Sequence, residues 1–320
     1  MNTDKNTPHN HAVSGKTTTS TGVHSHSLTA TDAALAALDA RLKALETPIV
    51  VPPPVEPPPT PPPTTITVAA GGKGVTITRS GQVVENLTIV GPGCATNGST
   101  FGIYGQGAFD GVVIRNCVVR GFDRDGIHLD GLTNVTVENC TVEDISYTGI
   151  MLISVVGGMI RGNTVRRIGV ITSPVDGTTH NAYGIAATDT GGPRSADLLI
   201  EGNTIMDVPR WHGLDTHGGL RLVFRGNTVR RTPRAVFITS SNTYKATDCL
   251  VDANLFTEPI PFTSASFGTN PEAMTAAYTV NCRFTNNHIG AAYGSVMVND
   301  YASASTGLVQ SNNTTGETLP

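Results

Sequence analysis

Ten consecutive residues, Arg210-Trp-His-Gly-Leu-Asp-Thr-His-Gly-Gly219, carry two imidazoles, a carboxylate, a guanidinium and the chain's only tryptophan. Imidazole and carboxylate are the side chains that move protons most readily near neutral pH. A guanidinium binds oxyanions in a fixed fork, and an indole offers an apolar face. The neighbouring sequence adds to the set. The unusually long segment 166–183 ends in His180-Asn-Ala-Tyr183, and Arg234 follows one repeat later. Long loops in compact proteins tend to carry function. Three readings are open for Asp215 and His217: proton transfer, sugar binding without chemistry, or an exposed, hydrogen-bonded i, i+2 pair that only supports the fold.

Four further histidines sit near the N-terminus, as His9-Asn-His11 and His24-Ser-His26. An H-x-H from each of three chains would bring six imidazoles to one axial ion, and imidazole suits iron and other transition metals such as nickel or zinc. The alternative is that these histidines are simply solvated in a polar, Thr-rich segment that has the composition of disorder.

The frame that must position the 210–219 stretch is a repeat. The hexapeptide Ile200-Glu-Gly-Asn-Thr-Ile205 returns as Ile114-Arg-Asn-Cys-Val-Val119, Val137-Glu-Asn-Cys-Thr-Val142, Ile160-Arg-Gly-Asn-Thr-Val165, Phe224-Arg-Gly-Asn-Thr-Val229, Val251-Asp-Ala-Asn-Leu-Phe256, Phe284-Thr-Asn-Asn-His-Ile289 and Gln310-Ser-Asn-Asn-Thr-Thr315. The fourth residues, Cys117, Cys140, Asn163, Asn203, Asn227, Asn254, Asn287 and Asn313, lie 23, 23, 40, 24, 27, 33 and 26 residues apart. Short alternating strands and Gly/Asn turns repeating in the low twenties predict an all-β parallel β-helix of about 9 to 10 coils. Successive coils would stack ~4.8 Å apart, so the fourth residues form one row at a corner. Asn suits that corner because its side chain bonds backbone and tolerates left-handed dihedrals.

A second set of segments begins near a small residue: Gly102-Ile-Tyr, Gly126-Ile-His-Leu-Asp, Gly149-Ile-Met-Leu-Ile, Gly184-Ile-Ala-Ala-Thr, Gly213-Leu-Asp-Thr-His and Ala235-Val-Phe-Ile-Thr. With Ile103, Ile127, Ile150, Ile185, Leu214 and Val236 inward, alternation turns Tyr104, His128, Met151, Ala186, Asp215 and Phe237 outward. Gln106, Asp130, Ile153, Thr188, His217 and Thr239 follow on the same outer face. His128 and Asp130 then lie three coils, ~14 Å, from Asp215 and belong to a different place.

Composition agrees with a solenoid. Charged residues make up 14% and aromatics 5% of 320 residues, with 35 glycines and 38% apolar content. The net charge is -4, and after residue 64 only Lys73 and Lys245 are lysines. Phosphate binding needs a basic face, so nucleic acid is not an expected partner. No apolar run reaches the ~18 residues of a membrane span, so no membrane insertion is expected. The start, Met1-Asn-Thr-Asp-Lys, lacks the apolar stretch of a secretory signal. Five cysteines in no metal-ligand spacing suggest synthesis in a reducing compartment, with Cys117 and Cys140 stacked as small core residues.

Ahead of the solenoid the chain divides into a polar segment (1–27), a short helix (28–47) and a proline-rich linker (48–64). Leu28, Leu35 and Leu42, with Leu38 and Leu45, form a coiled-coil stripe. Two and a half heptads do not hold a helix alone in water, so this element predicts oligomerisation. Ten prolines in the sixteen residues from Pro48 to Pro63 predict a semi-rigid polyproline II spacer. The solenoid domain then occupies 65–320.

Two resemblances follow from these residues. Gly213-Leu-Asp-Thr-His217 resembles the Tyr-Gly-Phe-Asp-Pro-His segment of the alginate C5-epimerases, β-helix enzymes related to polysaccharide lyases. The resemblance gives Asp215 and His217 that family's Asp and His, with His212 where the Tyr stands and Thr216 in place of the Pro. It implies exchange of a uronate C5 proton, with His212 or Tyr183 as the partner acid or base. Arg210 or Arg234 would neutralise the sugar carboxylate, and Trp211 and His180 would bind beside it. The second resemblance is one of plan. The order H-x-H, Ala/Leu helix, spacer and β-helix is similar to bacteriophage tail fibres and tailspikes, which implies a right-handed, pectin-lyase-like solenoid in a homotrimeric virion protein. Such a protein attaches through its N-terminus to other tail or baseplate proteins and binds bacterial surface glycan. The expected function is therefore host adhesion through polysaccharide, the alternatives being a uronate lyase or epimerase and a purely structural tail part.

Overall fold

The computed structural model describes residues 64–94, 99–170, 181–262, 270–295 and 297–316. The expected H-x-H segment with His9, His11, His24 and His26, the coiled-coil helix, the proline spacer and His180 lie outside the described residues.

Within the described residues the chain winds through three parallel sheets. Sheet A holds ten strands from Thr64–Thr67 to Thr314–Gly316, sheet B nine from Lys73–Ile77 to Asn299–Asp300, and sheet C nine from Val83–Glu85 to Val309–Ser311. Each coil contributes one strand to each sheet in turn, giving nine full coils and a last strand in sheet A. The solenoid starts one residue earlier than expected, because Thr64 already pairs with Leu87. The core is one continuous column of mainly aliphatic side chains, among them Ile127, Ile150, Ile185, Leu214 and Val236 in sheet B, with Phe122, Phe224, Phe256 and Phe284 buried in the same column. Stacking gives every interior strand a partner on both sides, so no coil is an independent folding unit.

The corner between sheets C and A carries the expected row. Asn163 Nδ2 donates to Asn203 Oδ1 at 2.9 Å, and the same link joins Asn203 to Asn227, Asn227 to Asn254, Asn254 to Asn287 and Asn287 to Asn313. Cys117 and Cys140 continue the row as buried thiols. One detail differs from expectation. The left-handed residue is the one before the ladder position: Asn116, Asn139, Gly162, Gly202, Gly226, Ala253, Asn286 and Asn312 all have φ between 53° and 62°. The ladder Asn keeps ordinary dihedrals and uses its amide to satisfy backbone groups, as Asn203 does for the carbonyl of Ile160 at 2.8 Å.

Outside, the charged residues are ordered by the same stacking. On sheet C the register places Glu85, Arg115, Glu138, Arg161, Glu201, Arg225 and Asp252 in one row of alternating sign. Contacts along it include Arg115 to Glu85 at 2.6 Å and Arg161 to Glu138 at 2.7 Å. A second row at the edge of sheet A alternates through Asp144, Arg167, Asp207, Arg231 and Glu258, with Arg167 2.7 Å from Asp144 and Arg231 2.6 Å from Asp207 and 3.0 Å from Glu258.

Candidate functional site

Sheet B aligns as the sequence predicts. Ala186 pairs with Asp215 and Asp215 with Phe237, while His217 pairs with Thr239. His128 stands in register with Met151, which pairs with Ala186, so it lies three coils from Asp215.

The start of each sheet-B strand breaks strict alternation, and the site depends on this. Gly213 and Leu214 both face the core. A Cβ on Gly213 would come within 2.4 Å of Val229 Cγ1, so the close approach of the strand to sheet A requires glycine. With two consecutive residues inward, His212 and Asp215 emerge on the same outer side and meet, His212 Nδ1 lying 2.5 Å from Asp215 Oδ2. Asp125 and His128 meet in the same way at 2.7 Å, with the two residue types exchanged.

His212 is completely buried, against Trp211 stacked on it at 4.6 Å and against Tyr183 and Phe237 edge-on at 5.6 and 4.8 Å. Its Nε2 lies 2.9 Å from Arg234 Nη1. A guanidinium only donates, so Nε2 accepts and the proton sits on Nδ1, donated to Asp215. Burial, the largest effect, holds the His212 imidazolium pKa down to about 4 against the pull of Asp215. Asp215 is 1% exposed. Burial pushes its acid pKa up, but the charge of His217 and then of His212 outweighs burial and leaves it below the ordinary carboxylate range. His217 Nε2 lies 3.2 Å from Asp215 Oδ1, near enough for charge attraction though not aligned as a hydrogen bond. The Asp215 charge raises the His217 pKa above the usual imidazole value, with burial opposing and Asp189 adding to the rise.

His217 is the member of this set that reaches open space, its side chain being 35% exposed. It lies between two pockets that share it and Thr188. One, of about 190 Å³, is lined by Tyr147, Met151, Tyr183, Ala186 and Asp215. The other, of about 490 Å³, is walled by Asp189, Thr190, Gly191 and the hydroxyl- and amide-bearing turn Ser240–Thr243. Gly218, at φ 77°, allows that closure, since a Cβ there would sit 2.8 Å from Ser241 Oγ and 2.9 Å from Asp189 Oδ2. Together they form a cleft with an aromatic and methionine floor at one end and a polar rim at the other.

Four of the expected site residues come together here. Asp215, His217 and Tyr183 line one pocket, and His212 stands behind Asp215. Trp211 is half-buried on the His212 ring. Two expectations need correction. Arg234 does not face the cleft: it is 1% exposed, its Nε donates to Glu272 Oε2 at 2.7 Å and its Nη2 to the Tyr301 hydroxyl at 2.7 Å. Four rings, of Trp211, Phe237, Phe262 and Tyr301, lie 4.7 to 5.7 Å from its guanidinium carbon. A charge so enclosed and already neutralised by Glu272 is not free to meet a substrate carboxylate. Arg210 likewise donates from Nε to the carbonyl of Gly169, and burial lowers its pKa. Sequence reasoning missed Tyr147, Asp189, the Ser240–Thr243 turn, Glu272 and Tyr301. All lie on the coil edges next to sheet B or in coils beyond the aligned set, where no repeat marks them.

The arrangement presents an imidazole at a cleft, electrostatically tied to a buried carboxylate that a second imidazole holds ionised. Such a group accepts or donates a proton, or binds hydroxyls, from a bound molecule.

The sequence matches the family described as a right handed beta helix region over residues 64–193 and 101–257. Among solved structures the chain is similar to an alginate lyase from Paenibacillus sp. str. FPU-7, at 17% identity and a TM-score of 0.46, covering 80% of this chain and 92% of that one. A DFA-IIIase from Arthrobacter chlorophenolicus A6 in complex with GF2 gives 15% and 0.52, covering 78% and 59%. The enzymatically active domain of bacteriophage CBA120 tailspike protein 2 gives 15% and 0.45, covering 69% and 38%. At these identities the shared property is the fold. No curated protein matches the sequence.

Proposed function

We propose that this chain, which belongs to the right-handed β-helix family, binds a bacterial surface polysaccharide in the cleft along sheet B. The carrying observation is the cleft itself, in which Tyr147, Met151 and Tyr183 floor one end, hydroxyl and amide groups rim the other, and His217 stands between them. Sugars have weakly polar ring faces and hydroxyl edges, which this division of apolar floor and polar rim suits. In this reading the protein is a tail fibre or tailspike of a phage virion. Its heptads, Leu28 to Leu45, make it a homotrimer, its N-terminal segment docks to other tail proteins, and His9, His11, His24 and His26 take an axial transition metal. The order of H-x-H, heptads, proline spacer and solenoid supports that part.

A second reading is catalysis on a uronate glycan, as a lyase or epimerase. It is favoured by Tyr183, Asp215 and His217 lining one pocket, where a phenol and an imidazole tied to a carboxylate face the same space. Both readings are tested by one set of measurements. Full-length protein and D215N are screened on bacterial capsular and lipopolysaccharide glycans, and retained glycans are incubated in heavy water and followed by ultraviolet absorbance for unsaturated uronate, by size for chain cleavage and by NMR for deuterium at uronate C5. Retention by wild type and its loss in a folded D215N supports the binding reading, and absorbance growth adds the lyase. No retention of any glycan, or retention equal in D215N, counts against it.

A further inference from the structure

Arg234 is not the end of the buried polar chain. Glu272 stands in register with Arg234 one coil further on, and all of its acceptor capacity is used inside the protein. Its Oε2 accepts from Arg234 Nε at 2.7 Å and Thr275 Oγ1 at 2.9 Å, and its Oε1 from Asn299 Nδ2 at 2.9 Å and the Tyr301 hydroxyl at 3.0 Å. Tyr301 comes from a 3-10 turn, Tyr301–Ser303, in the last full coil.

We propose that Glu272 and Tyr301 are positioning residues for the Asp215–His217 pair, acting through the buried Arg234 guanidinium and the His212 imidazole. Each proton in the chain has one place to go. Arg234 only donates, so the Tyr301 oxygen accepts from Nη2 and sends its own proton to Glu272. The same constraint makes His212 Nε2 an acceptor and puts its proton on Nδ1, aimed at Asp215. Asp215 is thereby kept as the carboxylate that faces His217. Glu272 also supplies the charge that balances Arg234. Without it, an uncompensated cation would press on His212 directly and on His217 through the Asp215 carboxylate between them.

The groups that bear on this chain come from every packed element. Asp215 and Asp189 face His217. Asp215, Arg234, Tyr183, Trp211 and Phe237 surround His212. Glu272 and Tyr301 join the site from coils whose residues do not line the cleft. The proposal rests on the reading that the Asp215–His217 cleft is the working site, but its test is made on the free protein and fails separately from glycan binding.

The experiment is nitrogen NMR of histidine-labelled full-length protein, as wild type, E272Q and Y301F, each shown to be folded by a cooperative thermal melt. Wild-type His212 is expected to hold the Nδ1–H tautomer across neutral pH. In E272Q the loss of negative charge lowers the His217 midpoint by about half a unit, and the guanidinium, no longer held by a carboxylate, turns off Nε2 and lets the His212 tautomers mix. Y301F frees one Arg234 hydrogen, lets the guanidinium swing away from His212 Nε2 and so mixes the tautomers with a smaller midpoint shift. A wild-type His212 protonated on Nε2, or titrating near the ordinary imidazole value, overturns the proposal. Folded E272Q and Y301F with unchanged tautomer and midpoint also overturn it. If E272Q does not fold, Y301F alone decides, and an unchanged spectrum then rejects the role.

Discussion

Asn203 Nδ2 donates to Asn227 Oδ1 at 3.0 Å while Asn227 Oδ1 also accepts from the Asn203 backbone nitrogen at 2.9 Å, so one buried carbonyl oxygen closes two bonds to the coil before it. Removing the Asn203 side chain leaves the Ile160 carbonyl and the Asn163 amide groups without these partners in a dry interior. We expect Asn203→Ala to cost roughly 3 kcal/mol, because several buried polar groups lose partners at once. Urea denaturation of wild type and variant measures it. A loss under about 1 kcal/mol would mean that the ladder fills space without holding backbone.

Acid should weaken the fold through His212. Its folded pKa, about 4, lies below the ordinary value of an unfolded histidine, about 6.5. The stability it protects is fully present above that unfolded value and is lost as pH falls through the folded one. The advantage of wild type over His212→Gln should therefore shrink by roughly 3 kcal/mol between pH 7 and pH 4. Denaturant melts at each pH check this, and a constant difference would place a charged imidazole in the folded protein.

His217 runs the opposite way. Its pKa is raised chiefly by Asp215, so the stability it contributes is present below the unfolded value and fades as pH climbs through the raised one. In Asp215→Asn the main attraction is gone and burial outweighs the weaker pull of Asp189, so the His217 midpoint should fall from above the ordinary imidazole value to below it. Proton NMR titration of the ring reads this directly. A midpoint that stays high in the variant would assign the rise to Asp189 instead.

The charge row on sheet C makes a salt-dependent prediction. Glu138 lies between Arg115 and Arg161. Glu138→Arg puts three like charges on successive coils and should cost about 1 to 2 kcal/mol at low salt, most of it recovered at high salt. Thermal melts at two ionic strengths separate this from a packing defect, which salt would not repair.

Much of this was legible in the residues because a stacked repeat converts sequence spacing into spatial neighbourhood. The hexapeptide containing Asn203 located the corner, and the Gly-Ile segments located the face that holds Asp215 and His217. What strict alternation hid is the meeting of His212 with Asp215. Three residues apart on a strand means opposite faces, unless a corner turns two consecutive residues inward, as Gly213 and Leu214 do. The glycine column at 102, 126, 149, 184 and 213 was visible, but its meaning is a close approach to the neighbouring sheet, which only coordinates express. Glu272 and Tyr301 were out of reach for another reason. Nothing in their local sequence resembles the site, and they join it only because the coils carrying them stack above Arg234.

The alternating rows of charge impose a parity on the molecule. Along both rows a coil with an acid is followed by a coil with an arginine, so deleting a single coil, such as the one carrying Arg161 and Arg167, would set Glu138 beside Glu201 and Asp144 beside Asp207. Deleting two neighbouring coils would restore the match. Such a solenoid lengthens and shortens most cheaply in pairs of turns, and variants of this protein that differ in length should differ by even numbers of them.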